Sequence, residues 1–292
     1  MRSADFLLIC QVDLYRKIWY NSFRIWELLG INREVYRMKP FLIIYFSGVG
    51  NTESVAEQIK NGIAGIPTEL YSLEKLPQDF SIDNYSAVII GTPTYHSEPA
   101  QPLMNFLEAV YPCRNIPAFV FTTCGLYSEN CLRILAKECL KHGIIAIHSA
   151  SYRCPATDGI ILTPSMKCWF KSEKNLPRRI NEDINTFISK LKSHSKAEIP
   201  KPKWYTPLNY PNKMLGKATT FPIFLHKDRC IKCGKCQKNC PKNAIEITDS
   251  YPAINKAECM NCYRCIHHCP ALALSLSKKK AVEKVWKKEN QI

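Results

Sequence analysis

The sequence predicts an α/β domain, a doubly wound parallel sheet of five strands, followed by a small α+β domain held together by cysteines. Three observations carry this. Short apolar runs alternate with helical periodicity from residue 41 to 193, a loop of small residues follows the first run, and eight cysteines repeat near the C-terminal end. The 292 residues suffice for two ordinary domains. Hydrophobic residues at 46% against 22% charged exclude disorder along most of the length. No apolar run is long enough to span a bilayer, and the first residues lack the regions of a secretion signal. Fifteen cysteines in such a chain point to a reducing, cytoplasmic setting, where clustered thiols hold metal more often than they form disulfides.

Residues 1–37 match nothing that follows. Met38 stands directly before the first strong strand, so this extension reads as a misassigned start or a peripheral helix on Leu14, Ile18 and Ile25. Strands are predicted at 41–46, 68–73, 86–91, 117–123 and 144–149. Helices are predicted at 52–64, 100–111, 128–142 and 177–193. The strands are continuously apolar, as parallel strands buried on both faces are. Strand–helix alternation gives an open sheet with helices on both faces, and ligands bind such sheets at the carboxyl ends of strands. The first domain is thus 38–193. Residues 194–220, with Pro200, Pro202, Pro207 and Pro211, read as an extended linker.

Residues 221–277 form the second domain, built on an internal repeat with a 29-residue offset. Cys230, Cys233, Cys236 and Cys240 recur as Cys259, Cys262, Cys265 and Cys269, and Pro241 recurs as Pro270. Zinc or disulfides are the plain alternatives, but a third cysteine at the same spacing and a trailing Cys-Pro are superfluous for zinc. Each half, Cys-x-x-Cys-x-x-Cys-x-x-x-Cys-Pro, resembles the bacterial two-cluster ferredoxin run, in which the fourth cysteine serves the other cluster. The resemblance implies two 4Fe–4S clusters, one on Cys230, Cys233, Cys236 and Cys269, the other on Cys259, Cys262, Cys265 and Cys240. At about 55 residues this domain has little core of its own, so the clusters must staple it. A basic tail, 278–292, follows.

The first strand ends in Ser47-Gly48-Val49-Gly50-Asn51-Thr52 and opens into a helix. Small residues at a strand end present backbone N–H groups and the positive helix end to a phosphate, and Ser47, Asn51 and Thr52 add side-chain donors. The motif is neither a nucleoside-triphosphate loop nor a dinucleotide fingerprint. It resembles the phosphate loop of flavodoxins, Ser/Thr-x-Thr-Gly-x-Thr, with Val49 in place of the middle threonine.

The third strand runs into Pro93-Thr94-Tyr95-His96 and the fourth into Thr123-Cys124-Gly125-Leu126-Tyr127. Both fall where a flavodoxin-like fold places its isoalloxazine loops. The resemblance covers 39–193 and implies FMN, with Tyr95 stacking on the ring. Residues 92–98 hold no glycine, so the flavin N5 lacks the rotating peptide that flavodoxins often use. Cys124 is expected mainly to pack.

The order of the two parts resembles the ferredoxin–flavodoxin fusion proteins of anaerobes and archaea. That family implies an electron-transfer iron–sulfur flavoprotein, exchanging electrons with redox partner proteins. An FMN-dependent reductase of a small molecule, with 150–176 as a lid, is the alternative, and a docking subunit of a larger complex a third. No Ser–His–Asp set, His-Glu-x-x-His or paired carboxylates argue for other chemistry.

The formal charge of +15 raises nucleic acid as a partner. Two clusters and a phosphate would bring it to about +9, so nucleic acid is the weaker reading. What persists is basic character from residue 171 onward, which would steer acidic redox proteins.

Overall fold

The computed structural model describes residues 39–110, 113, 115–202 and 222–286. The extension 1–37 with its alternative start at Met38, linker residues 203–220 and tail residues 287–292 lie outside the described residues.

Phe41-Leu-Ile-Ile-Tyr45 forms β1, buried at every position. It is followed by α1 (Asn51–Gly62), β2 (Thr68–Ser72), β3 (Ala87–Tyr95) and the short β4 (Glu98–Pro99). Then come α2 (Gln101–Ala109), β5 (Ile116–Cys124), α3 (Cys131–Lys141) and β6 (Ile144–Arg153). The unit closes with α4 (Thr157–Leu162) and α5 (Leu176–Lys192). Five parallel strands run in the order β2-β1-β3-β5-β6, and β4 pairs antiparallel with β3. This is the flavodoxin-like doubly wound sheet, with its order reversing at β1/β3.

Alternation along β1 builds two cores, because successive side chains point to opposite faces. Phe41, Ile43 and Tyr45 pack with Val55 and Ile59 of α1 and Ile180, Ile184 and Phe187 of α5. Leu42, Ile44 and Phe46 pack with Leu103 and Leu107 of α2 and Leu135 and Cys139 of α3. Each predicted strand and helix in 41–193 has an observed counterpart. β3 and β6 run four residues further than the apolar pattern indicates, since their ends hold Thr, Pro, Ser and Tyr. The β3 end, Pro93, Thr94 and Tyr95, lines the site.

The start of the linker is tied down. Glu198 N–H donates to the Ala146 carbonyl at 2.7 Å, Arg133 to the Pro200 carbonyl at 2.8 Å, and Lys190 pairs with Glu198. Beyond the linker, β7 (Phe224–Leu225), α6 (Lys235–Lys238), β8 (Ile245–Thr248), β9 (Tyr251–Ile254), α7 (Arg264–His267) and β10 (Leu274–Ser275) form the cysteine-rich part. Small antiparallel pairs, β7 with β10 and β8 with β9, frame it.

Two residues after position 277 enter the core. Val282 joins Ile245, Tyr263, Ile266 and Leu274, and Trp286 joins Val49 and Ile160. The Trp286 N–H donates to Nδ1 of His267 at 2.8 Å, and His267 Nε2 meets the Thr157 carbonyl at 3.2 Å. Burial depresses the His267 imidazole to about 4, so it stays neutral and its Nε2–H is the donor to Thr157. The basic run thus carries an apolar anchor that sequence charge alone obscures. Replacing Trp286 by Ala is expected to cost about 3–5 kcal/mol, the usual range for emptying a buried aromatic site. Denaturant unfolding of the variant against the parent measures it.

Candidate functional site

A cavity of about 470 Å³ lies at the carboxyl ends of β1, β3 and β5. That volume is within the roughly 300–1,000 Å³ of small-molecule and cofactor sites. Ser47, Gly48, Val49, Asn51 and Thr52 line it from the first loop, and Pro93, Thr94, Tyr95 and His96 from the end of β3. Thr123, Cys124, Gly125 and Tyr127 line it from the end of β5. Gly50 is not on the wall. It caps α1 with φ 106° and accepts the Ser54 N–H at 2.9 Å, and its own N–H reaches Ser47 Oγ at 3.0 Å. A side chain at this backbone conformation is strained, so glycine is what lets the loop turn into the helix.

The hydroxyls have definite partners. Thr52 Oγ1 lies 2.8 Å from Thr123 Oγ1, which ties the first loop to the end of β5. Asn51 Nδ2 donates to the Pro155 carbonyl at 2.9 Å, so this amide anchors the 155–159 wall. The Gly48 and Val49 N–H groups have no hydrogen-bond partner among the described residues. They are the donors that the loop offers to an anion.

Tyr95 is turned onto the first loop: a Cβ built on Gly48 would sit 2.1 Å from its hydroxyl and 3.6 Å from the Cys262 carbonyl. Burial, then the neighbouring Cys262 thiol, raises the Tyr95 phenol well above its ordinary value, so it remains a neutral donor. His96 is exposed and, with Ser97, takes positive φ (48° and 68°) at the tip of the β3–β4 hairpin. A two-residue hairpin of this kind needs that conformation at both tip positions. Cys124 is buried with its thiol against Ser151 and the Tyr152 carbonyl, a packing environment.

The cysteines gather crosswise. Cys230, Cys233, Cys236 and Cys269 line one small apolar cavity, and Cys240, Cys259, Cys262 and Cys265 line another. The repeat is visible in the bonds to sulfur. Ala244 N–H donates to Cys240 Sγ and Ala273 N–H to Cys269 Sγ, both at 3.2 Å. Among the described residues no three His, Cys, Asp or Glu side chains converge as they would on a single ion. Each set of four instead lines its own small cavity. Burial pushes the Cys262 thiol up to about 11 and Cys265 well above its ordinary value, so iron must displace protons there.

The two halves differ in exposure. Ile231, Lys232, Cys233, Lys235 and Lys238 of the first are exposed, whereas Cys262 to His267 of the second are buried. The second half touches the cavity at the strand ends directly, because Asn261 and Tyr263 line it. Tyr263 holds φ 55° where the repeat has Gly234 at φ 67°. An aromatic in that region is a backbone outlier, and such strain clusters at functional sites.

Arg264, one residue on, bonds to both parts of the chain. Neither residue is among those the motifs single out, though both are departures within the repeat and legible as such. Glu129, buried on the cavity wall with Oε1 unpartnered, and Trp169 had no sequence signal.

Comparison with known proteins follows the same division. The family model described as a flavodoxin domain matches residues 42–137, and that described as a 4Fe–4S dicluster domain matches 222–286. Similar solved structures include a flavodoxin from the domain Archaea (17% identity, TM-score 0.40, covering 52% of this chain and 99% of that one). Flavodoxin 1 from Bacillus cereus shows 16% identity and TM-score 0.41, covering 51% and 97%. Rubredoxin oxygen:oxidoreductase from Desulfovibrio gigas shows 16% and 0.40, covering 55% of this chain and 38% of its own length. The chain carries a flavodoxin domain followed by a 4Fe–4S domain, the arrangement of the ferredoxin–flavodoxin fusion proteins. A flavodoxin domain implies FMN and the second domain implies iron–sulfur clusters, which makes this an FMN/iron–sulfur electron-transfer protein. No helix among the described residues is long and apolar enough to cross a membrane.

The first loop yields a direct test. Gly50→Val forces a β-branched residue to positive φ, a strain of about 1–3 kcal/mol. FMN affinity, read by quenching of flavin fluorescence, is expected to fall roughly tenfold or more. Gly48→Ala is expected to weaken it too, by displacing the Tyr95 hydroxyl.

Proposed function

We propose that this chain passes electrons between two 4Fe–4S clusters and FMN and exchanges them with soluble redox proteins in the cytoplasm. One observation carries the reading: Tyr263 lines both the cavity of the first-loop residues and the cavity of Cys240, Cys259, Cys262 and Cys265. FMN accepts one or two electrons and each cluster one, which is the chemistry these groups supply when bound.

The chain's own residues bind, orient and exclude water. The Gly48 and Val49 N–H groups receive the phosphate, Tyr95 and Tyr127 flank the ring, and the second cysteine motif is buried from Cys262 to His267. The first motif is open to solvent among Lys232, Lys235 and Lys238, a face that favours an acidic redox protein by long-range attraction.

Reduction of a small molecule is a second reading, favoured by the wall of Pro155 to Gly159 and Trp169 along one side of the cavity. Leu126 and Tyr127, each 54% exposed, leave the other side open, as a carrier that docks partners requires.

Anaerobic reconstitution tests the assignment. About eight iron, eight sulfide and one FMN per chain are expected, the sum for two 4Fe–4S centres. Cys269→Ala is expected to remove the same spectral component as Cys233→Ala, and Cys240→Ala the same one as Cys262→Ala. Stoichiometric zinc, or loss within the same repeat, contradicts the crosswise pair.

A further inference from the structure

The 29-residue offset pairs Lys235 with Arg264. Lys235 is exposed, while Arg264 is only 8% exposed and points its guanidinium into the flavodoxin domain. Its Nε donates to the Gly48 carbonyl at 2.8 Å and Nη2 to the Ser47 carbonyl at 2.6 Å. Nη1 donates to Glu74 Oε1 at 2.6 Å and to the Asn239 carbonyl, in the first cysteine motif, at 3.2 Å. The Phe46 ring lies 5.4 Å below the guanidinium carbon. One side chain therefore joins the loop that follows β1, Glu74 and both cysteine motifs.

Peptide planarity gives these bonds a consequence. In a trans peptide the C=O and N–H point in opposite directions, and none of the described peptides is cis. Turning the Ser47 and Gly48 carbonyls toward Arg264 turns the Gly48 and Val49 N–H groups away from it. Those are the two donors without partners, and both residues line the cavity. The fork of a guanidinium suits two neighbouring carbonyls, and a lysine ammonium, a compact point charge, does not reproduce it. Arg264 lies between Cys262 and Cys265, so its place depends on how those two thiols are held.

We propose that Arg264 is the positioning residue that couples the two cofactor sites. By holding the carbonyls of the first loop from within the second cysteine motif, it makes FMN affinity and iron retention at that motif depend on each other. This rests on the reading that FMN occupies the cavity and a cluster the second motif. Coupling between two binding sites is reciprocal, so each group strengthens retention of the other.

The experiment uses the intact, reconstituted chain. The dissociation constant of FMN is measured by fluorescence quenching, and iron loss to a ferrous chelator is followed with and without FMN. Removing hydrogen bonds to a charged group is expected to raise the constant roughly tenfold in Arg264→Ala. Arg264→Lys is expected to recover only part of this. FMN should slow iron loss in the parent and not in Arg264→Ala, a protection that a merely structural role would not remove.

Affinity within twofold of the parent in Arg264→Ala overturns the proposal, as does FMN protection that survives the substitution. If Arg264→Ala holds too little iron to compare, Glu74→Ala decides, because it removes the carboxylate that fixes the guanidinium over the two loop carbonyls while leaving both cysteine motifs intact. A threefold or larger rise in its FMN constant supports the coupling, and an unchanged constant overturns it. A parent chain that binds no FMN refutes the flavin-site reading itself.

Discussion

A buried guanidinium has to find oxygen partners for its donors, and that constraint organises the junction of this protein. Arg264 finds its partners in the carbonyls of Ser47, Gly48 and Asn239 and in the Glu74 carboxylate. The charge is matched by Glu74, whose outer face is still wet, so burial is compensated at little desolvation cost on the acidic side. Removing one partner would strand a charge, a far larger loss than that of an exposed ion pair. The cysteine-rich part is therefore held at one place on the sheet, next to the loop that follows β1. His267, on the same short helix, and Trp286 add a second attachment to Thr157, Val49 and Ile160.

This placement separates the two halves of a nearly symmetric repeat. The half containing Cys259, Cys262 and Cys265 is buried against the flavodoxin domain, and the half containing Cys230 and Cys233 faces solvent. A chain of sites follows from burial alone: an outward motif among lysines, an inward motif under Tyr263, and the cavity at the strand ends. Protein carriers set potential through burial, hydrogen bonds and charge, and the two motifs here differ in burial and in the charged side chains around them.

Much of this was legible in the residues. Buried parallel strands read as apolar runs, so β1, β3, β5 and β6 and four flanking helices stand out. β2, at the sheet edge, is half-buried at every position and carries Thr68, Glu69 and Ser72, so it is not the continuously apolar strand expected of it. The cysteine spacing and the Ser47–Thr52 loop announce their chemistry locally. The rest depends on tertiary context. Asn51 and Thr52 read as ligand donors in sequence and line the cavity, but that they also tie the loop to Pro155 and Thr123 is visible only in the fold. Val282 and Trp286 are hidden in a lysine-rich stretch whose charge dominates any composition window. Tyr263 and Arg264 carry a signal only when the repeat is laid over itself: glycine and lysine in one copy become tyrosine and arginine in the other.

The central claim is that the cavity and the inward cysteine motif belong to one electron path within the chain. Flash photoreduction of the clusters in the intact holoprotein, with flavin absorbance followed over a roughly tenfold dilution, tests it most directly. The account expects flavin reduction at a rate independent of protein concentration. A rate that falls in proportion to dilution would contradict it, since electrons would then reach the flavin only by collision between chains.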